Sequence, residues 1–514
     1  MAVLQRSRIL FLIAVIGSTT NTFAHAYITS HGAVPSHRQK QWLQEMTADI
    51  CQVKPGELSP NQLSQAPDLM YAWSHTKDVN KECALNCERL VKRVVDERRA
   101  GNPEAADLTV EDYNCLLEGW ARSGEGSFAA ERCEVILTAM QEQGPKPNLA
   151  SFKHAIMAWR MASSDADFGP VRAQRILEWM IRLAQDGENP GAMPDAFCFD
   201  TVMQMWSRSK HKQAPAKAEQ LLGVMERLYE KTGSVSVKPR TLSFNAILAA
   251  WSRSGDDRAA KRACDILSFM EMLVDRGDHS VAPDSCTYCT VMGALAKSQN
   301  QAQAARKAET FLRHVEEAYQ EHGQRGRLVP DTILFNTAMG CLAKSNVSGS
   351  YRRAQSILDR QRNLYQAGCK GCKPDVYGYT SVIASCAAER GSKKEKLHAF
   401  DVALATFRQL QNYESGPNHV SYGAMLKACA KLLPSSSPIR QKWARVVFED
   451  CCKRGQVGDM VVSRMREAAS PELYKELMQG HRRQELPAEW TRNVDEKNQY
   501  RKKKASSFRR RREV

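Results

Sequence analysis

The stretch "VKPRTLSFNAILAAWSRSG", residues 237–255, decides the fold because near-copies of it recur along the chain. Copies include "AMPDAFCFDTVMQMWSRSK" from residue 192, "VAPDSCTYCTVMGALAKSQ" from residue 281 and "LVPDTILFNTAMGCLAKSN" from residue 328. Two further copies begin at residues 372 and 415. Self-similarity at a regular spacing of this kind is typical of repeat architectures.

Each copy predicts a pair of α-helices. In the first helix, apolar residues lie three, four and seven positions after an aromatic anchor, as Ile247 and Trp251 do relative to Phe244. The second helix repeats these offsets from a small residue, as between Ala263 and Met270. Both patterns place the apolar residues on one helix face. The anchors are Tyr113, Phe152, Phe199, Phe244, Tyr288, Phe335, Tyr379 and Tyr422.

A proline followed by a polar residue separates successive hairpins. Proline ends one helix, and the next residue can cap the helix that follows. A single hairpin cannot bury its own apolar face, so stacked neighbours must share a core. The sequence therefore predicts an all-α fold, an α-solenoid of about eight helical hairpins. The predicted repeats span 109–148, 149–195, 196–240, 241–284, 285–331, 332–375, 376–418 and 419–455, within an array covering 109–452.

The segments outside the array predict targeting and capping. Residues 1–26 have two arginines, an apolar run and a small-residue end, the layout of a cleavable signal peptide. The run is too short to span a membrane, so we expect no stable membrane insertion. Residues 27–57 are predicted as a transit or linker segment, since no acidic residue comes before Glu45. We predict a degenerate capping hairpin at 58–108, capping helices at 456–480 and a disordered basic tail at 481–514.

Composition favours a polyanionic partner and a reducing compartment. The net charge is +16, and residues 501–514 hold eight basic residues against one acidic residue. The 16 cysteines lie mostly within the apolar repeat pattern, where cysteine acts as a small hydrophobe. Cys369 and Cys372 form a lone CxxC with no second pair nearby, so neither a zinc site nor any other cofactor is predicted.

The units "TLSFNAILAAWSRSG…VAPD" and "TILFNTAMGCLAKS…CKPD" resemble the pentatricopeptide repeat, whose unit opens V-x-[ST]-[FY]-N-x-[LI]-[LI] and ends G-x-x-P-D. The resemblance covers about residues 109–452 and implies a right-handed superhelix of the P type. Successive anchors are 39 to 47 residues apart, longer than the family's standard unit. This stretching leaves open whether every repeat reads one base.

The resemblance implies that the residue after each aromatic contacts a base edge and that the last residue of the unit steadies it. An amide carries both a donor and an acceptor, so it can match such an edge. The implied base-reading pairs are Asn114 with Asn148, Asn245 with Asp284, Asn336 with Asp375, and Thr380 with Asn418. The pairs Lys153 with Asp195, Asp200 with Arg240, and Cys289 with Asp331 match no dependable combination, and Gly423 has no terminal partner.

Two further groups are expected to contact RNA. In the family, the residue two positions before the aromatic wedges between adjacent bases. Here those residues are Leu242, Cys286, Ile333, Tyr377 and Val420, whereas Glu111 does not suit that role. The predicted phosphate-binding tail comprises Arg501, Lys502, Lys503, Lys504, Arg509, Arg510, Arg511 and Arg512.

The predicted function is sequence-selective binding of a single-stranded organellar RNA resembling 5′-Y-N-N-U-N-U-A-3′, by a monomer without catalysis of its own. Nuclease or ribosomal partners are compatible with that function. The alternatives are an RNA-processing enzyme or accessory nuclease subunit, and a tetratricopeptide-like scaffold for proteins. A signal peptide before a transit segment, with Phe23 near the cleavage point, resembles leaders of algae with secondary plastids. We therefore expect plastid import, with the mitochondrion as the alternative.

Overall fold

The computed structural model describes residues 36–162, 168–323, 326–479, 481 and 486–494. The predicted signal peptide (1–26), residues 27–35 of the predicted transit segment and residues 495–514 of the predicted tail lie outside the described residues. The chain divides into two compact units, residues 1–250 and 251–514. Across the described ranges every regular element is helical, which confirms the all-α prediction.

The first unit contains nine α-helices among its described residues, followed by most of a tenth. They are α1 (Ser36–Gln52), α2 (Pro60–Ser74), α3 (Lys81–Arg99), α4 (Val110–Arg122), α5 (Gly126–Gln143), α6 (Leu149–Met161), α7 (Phe168–Gln185), α8 (Ala196–Arg208) and α9 (Ala214–Thr232). Helix α10 (Thr241–Ser254) contains the boundary between the units.

The described part of the second unit contains twelve further α-helices. They are α11 (Ala259–Asp275), α12 (Ser285–Leu295), α13 (Gln301–His322), α14 (Thr332–Lys344), α15 (Ser350–Gln366), α16 (Val376–Cys386), α17 (Lys393–Gln411), α18 (His419–Leu432), α19 (Pro438–Lys453), α20 (Asp459–Ala468), α21 (Pro471–Met478) and α22 (Ala488–Thr491).

In both units the helices pack as hairpins whose first helices contact one another. Helices α4, α6 and α8 pack in succession in the first unit, and α12, α14, α16, α18 and α20 do so in the second. Within a unit, a second helix packs on its own first helix and on the first helix that follows, as α5 does on α4 and α6 and as α15 does on α14 and α16. Stacked hairpins of this kind form the predicted α-solenoid architecture.

The predicted core positions of the second helices are buried. Ala263, Leu267 and Met270 are at most 1% exposed, and Ala173 and Met180 are fully buried at the same positions of α7. Small residues at the first of these positions let the two helices of a hairpin approach closely. The hydrophobic pattern of the sequence therefore corresponds to the observed core.

The segment 27–57, which was predicted as a transit or linker segment, differs from the prediction in its described part, because it contains helix α1. Leu43 and Ile50 of α1 are buried, and α1 packs on α2 and α3. Thr47 accepts a hydrogen bond of 2.9 Å from the Trp73 indole nitrogen. The described part of this segment therefore belongs to the folded unit. The helix was missed because its pattern does not match the repeat.

Short 3₁₀ turns take up part of the extra repeat length. They lie at Pro190–Ala192, Val235–Val237, His279–Val281 and Lys370–Cys372, and each ends in a buried residue. Cys372 is the buried residue of the last turn, and its Sγ atom is 3.1 Å from that of Cys369. Cys372 thus occupies a packing position that Ala192, Val237 and Val281 occupy in the other turns.

Candidate nucleic-acid interface

The start of each first helix carries the predicted base-contacting residues. In six repeats the residue before the helix is an asparagine or aspartate whose side chain accepts hydrogen bonds from first-turn amides. These caps are Asn148, Asp195, Asp284, Asp331, Asp375 and Asn418. The aromatic residue four positions after each cap is buried, so it fixes the rotation of the helix about its own axis relative to the core. In four repeats the next side chain then reaches the cap position of the following repeat.

Asn336 and Asp375 form the most regular of these pairs. The Asn336 amide nitrogen lies 3.0 Å from both carboxylate oxygens of Asp375. Asp375 Oδ1 also accepts a hydrogen bond from the Gly378 backbone nitrogen, at 3.0 Å. A carboxylate can only accept, so Asn336 must turn its NH₂ group toward Asp375. One of the two amide hydrogens is then available to a ligand.

Asn114 makes a related arrangement in the first repeat. Its amide nitrogen lies 3.4 Å from Asn148 Oδ1, and its Oδ1 accepts a hydrogen bond of 2.6 Å from the Ser151 hydroxyl. The same nitrogen is 3.4 Å from a carboxylate oxygen of Glu111. Asn114 is only 5% exposed. The protein itself therefore uses most of the hydrogen-bonding capacity of this side chain.

Thr380 reaches its predicted partner Asn418 through a third residue. The Thr380 hydroxyl lies 2.7 Å from the hydroxyl of Ser421, which in turn lies 3.1 Å from Asn418 Oδ1. Asn418 Oδ1 also caps α18 through the backbone amides of Val420 and Ser421. The three side chains form one network, so the predicted direct pair is replaced by a pair bridged by a hydroxyl group.

Two pairs that matched no dependable combination form ion pairs. Lys153 Nζ lies 2.6 Å from an Asp195 carboxylate oxygen, and the Lys153 hydrogen bond and the Cys198 amide outweigh the effect of burial and lower the Asp195 pKa. Asp200 is 2% exposed and accepts hydrogen bonds from Arg240 at 2.9 Å and Ser243 at 2.5 Å.

Burial raises the pKa of the Asp200 carboxyl, while the bonds from Ser243 and Arg240 act in the opposite direction. Little of this carboxylate faces solvent. Both charged reader positions are therefore engaged by the protein's own counter-charges, which leaves them poorly suited to matching a neutral base edge.

The remaining predicted positions are less specific. The pair Asn245 and Asp284 has one member in each unit and stays a prediction. The Cys289 Sγ atom lies 3.8 Å from the Thr337 hydroxyl of the next first helix. At Gly423, an added Cβ would lie 3.2 Å from Met460 Cε, so the Met460 side chain covers this position.

The predicted wedge residues are exposed apolar side chains at one structural position. Ile333 is 62% exposed and Tyr377 73% exposed, and Leu242, Cys286 and Val420 are exposed as well. Sequence reasoning missed Phe197, which occupies the same position in the third repeat and is also exposed. Its place two residues before Phe199 would have identified it. The exposure of these side chains leaves them accessible to a ligand, as the predicted wedge role requires.

An exposed basic residue also recurs nine positions after the aromatic anchor, and sequence reasoning missed it. These residues are Arg122, Arg208, Arg253, Lys297, Lys344 and Lys431. On a helix of 3.6 residues per turn they lie about 20° from the wedge position, on the same face. Lys344 donates to the Ala296 carbonyl at 3.4 Å. Since a lysine has three donors, this bond leaves others free.

A third missed feature is the hydroxyl residue immediately before the aromatic. Ser151, Ser243 and Ser421 each contact the reader side chain of the preceding repeat. The dipeptides Ser-Phe and Ser-Tyr at these positions were a visible signal. Their role was not predictable, because the contact joins residues 37 to 43 positions apart.

The proposed phosphate-binding tail, residues 501–512, lies outside the described residues. In the described ranges, no helix is both long and apolar enough to cross a membrane. The same part of the chain holds no group of three or more histidine, cysteine, aspartate or glutamate residues placed for a metal ion.

No family model matches this chain, and comparison with curated proteins gives no match. The pentatricopeptide assignment therefore remains a proposal, based on the repeat pattern and on the side-chain geometry described above.

Proposed function

We propose that this protein is a sequence-selective single-stranded RNA-binding protein of the pentatricopeptide type, without catalysis of its own. One observation carries the proposal. Asn336 is hydrogen-bonded to the next cap residue, and the exposed apolar residue Ile333 lies one turn before it on the same helix. Thr380, which reaches the cap residue Asn418 through Ser421, and the exposed Tyr377 form a related arrangement on the neighbouring first helix.

Unpaired bases offer what this arrangement can bind. Single-stranded RNA exposes the hydrogen-bonding edges of its bases, which an amide or hydroxyl can match. The flat faces of the same bases pack against apolar and aromatic side chains. A polar reader with an apolar side chain one turn away therefore provides a place for one base edge and one base face.

The basic residues supply the part of the binding free energy that does not depend on the RNA sequence. The six exposed arginines and lysines near the ends of the first helices share a face with the wedge residues. Neutralising RNA phosphates releases counterions and strengthens binding at low salt. This recurring positive charge favours a polyanion over a peptide and distinguishes the proposal from a tetratricopeptide-like scaffold.

We propose that the bound RNA resembles 5′-Y-N-N-U-N-U-A-3′ and that binding serves transcript stabilisation, end definition, processing or translation in an organelle. The leader supports a plastid, with the mitochondrion as the alternative. The basic tail would add phosphate contacts beside the array.

The test compares two RNA oligomers, one with this motif and one with the same bases scrambled, by fluorescence anisotropy at moderate salt. We expect the motif to bind more tightly, and Asn336→Ala to weaken its binding by about 1–3 kcal/mol. The matched control is Asn363→Ala, because Asn363 is exposed on the second helix of the same repeat. We expect this variant to bind like the wild type.

Equal affinity for the two oligomers would refute base reading, while RNA binding would stand. Failure to bind either oligomer at low salt would refute RNA binding and favour the scaffold alternative.

A further inference from the structure

The sixth repeat contains two buried polar groups that have no hydrogen-bond partner among the described residues. One is Oδ1 of the reader Asn336, and the other is the whole side-chain amide of Gln361. Gln361 is fully buried on α15, the second helix of the same repeat. Buried polar groups in folded proteins nearly always have a partner, so these atoms require an explanation.

Other repeats show what normally occupies this place. In the third repeat the Ser243 hydroxyl donates to Asp200 Oδ1 at 2.5 Å and lies 3.9 Å from Met225 Sδ. In the first repeat the Ser151 hydroxyl donates to Asn114 Oδ1 at 2.6 Å. In both repeats a serine of the following first helix donates to the reader oxygen, and in the third repeat a methionine of the second helix lies beside that serine.

The sixth repeat changes both of these residues. Gly378 replaces the serine, so no hydroxyl is available to Asn336. Gln361 occupies the position that Met225 has in the third repeat, seven residues after the small alanine of the second helix. A Cβ added at Gly378 would lie 3.1 Å from both Asn336 Oδ1 and Met339 Cε, and 3.6 Å from Leu358 Cδ1 of α15. The space beside Gly378 is therefore bordered by the reader, by the flexible Met339 side chain and by α15.

We propose that Gln361 is a positioning residue for Asn336 and that one buried water joins the two side chains. This inference rests on the proposed function of Asn336 as a base reader. A buried water needs two to four polar partners. Asn336 Oδ1, Gln361 Oε1 and Gln361 Nε2 supply three. The water donates to the two oxygens and accepts from the Gln361 amide, which satisfies every orphaned atom in the pair.

The water-linked pair determines which group Asn336 offers to RNA. Asp375 holds the amide nitrogen on one side, and the water holds Oδ1 on the inner side. Rotation of the amide would place its NH₂ against the water and its oxygen against the Asp375 carboxylate, which cannot donate. Asn336 therefore presents a donor only. At position 4 of the base, a donor matches the acceptor O4 of uracil and does not match the amino group N4 of cytosine, which is itself a donor.

The first experiment measures base selectivity with two RNA oligomers that differ only in U or C at the base facing the sixth repeat. Gln361→Met removes the water's partner, so we expect the preference for U over C to fall about fivefold to tenfold. Adding Gly378→Ser in the same chain supplies the serine and methionine of the third repeat and should restore most of the preference. Gln355→Met, on the same helix, is the matched control and should leave the ratio unchanged.

An equal loss of affinity for both oligomers in Gln361→Met would overturn the positioning role, because damage to packing alone predicts that result. No rescue by Gly378→Ser would also count against it.

A second experiment does not depend on RNA. A high-resolution crystal structure of the free protein should show one ordered water within hydrogen-bonding distance of Asn336 Oδ1 and Gln361, and Gln361→Met should lose it. A wild-type structure without that water would refute the inference even if the protein binds RNA. If RNA does not bind but the water is present, the proposed function fails while the polar pair stands.

Discussion

The two compact units use the same helical hairpin but differ at the reader position. In the first unit, two consecutive readers are charged and ion-paired, Lys153 with Asp195 and Asp200 with Arg240. In the second unit, Asn336 and Thr380 are neutral and are held by hydrogen bonds. A charged side chain that is ion-paired has little hydrogen-bonding capacity left for a base edge. Under the proposed function, we therefore expect the second and third repeats to contribute little base selectivity and the sixth and seventh to contribute more.

The two units also differ in how the first helices pack on the preceding second helices. Seven residues after the aromatic, the first unit has tryptophans whose indole nitrogens donate to the preceding second helix. These bonds join Trp120 to Glu88 at 3.2 Å, Trp159 to Glu134 at 2.7 Å and Trp206 to Gln174 at 2.8 Å. From the fifth repeat onward, the second unit has Leu295, Leu342, Cys386 and Cys429 at this position, all buried. A directional polar contact thus joins the two helix layers at these three tryptophans of the first unit, and apolar side chains occupy the position in these four repeats of the second.

The largest expected effect tests whether the units are stabilised separately, because each contains a buried glutamate that accepts hydrogen bonds from loop residues. Glu97 accepts from the Gly56 amide at 2.9 Å and from Asn102 at 2.7 Å, and Glu389 accepts from the Ser348 hydroxyl and the Gly349 amide, both at 2.7 Å. Glu97→Gln and Glu389→Gln should each cost about 2–3 kcal/mol. Hydrogen exchange should show lost protection in the mutated unit alone.

The same carboxylates predict a pH dependence. Burial acts to raise the pKa of both, but their hydrogen bonds outweigh it and lower each pKa below its ordinary value of 4.5. Their stabilisation is therefore complete above that value and is lost as the pH falls through the lower folded-state pKa. Each glutamine variant should lose less stability than wild type on acidification, whereas exposed Glu104→Gln should behave like wild type. Loss of protection in both units from one substitution would contradict separate stabilisation.

A smaller effect is expected from transplanting the reader of the second unit into the first. Asp200→Asn with Arg240→Asp copies the Asn336–Asp375 pair and keeps the neighbouring Ser243. We expect this variant to prefer U over C at the base facing the third repeat by about 1–2 kcal/mol, where wild type has no preference. Competition binding with two oligomers that differ only at this base measures it. If the variant folds but binds the two oligomers with equal affinity, the reader pair alone does not decide base selectivity.

The smallest effect concerns the basic residues of the second unit. Lys297→Gln and Lys344→Gln each remove one phosphate contact, so each should reduce the slope of log affinity against log salt by about 0.7. Affinity should fall equally for the motif and the scrambled oligomer. Lys394→Gln, exposed at the start of a second helix, is the control. A changed slope in that control would assign the charge effect to the whole surface.

The sequence was sufficient to predict the helices, the hairpins and the α-solenoid, because these depend on local spacing. Phe244 and the apolar residues after it lie on one helix face at any position in the chain. Asp375 and Asn418 cap the helices that directly follow them. Helix α1 escaped prediction because it is not a copy of the repeat, and its burial depends on contacts with α2 and α3.

The tertiary structure alone decided which polar side chains remain available. Asp200 and Asn336 occupy equivalent positions in the sequence repeat. Only their neighbours in the fold make Asp200 a buried ion-pair partner and Asn336 a partly buried amide. Ser421 and Gln361 acquire their proposed importance in the same way, from contacts with residues distant in the chain. Periodicity determines a helix through bonds between near neighbours, whereas hydrogen-bonding capacity at a site depends on every group that packing brings to it.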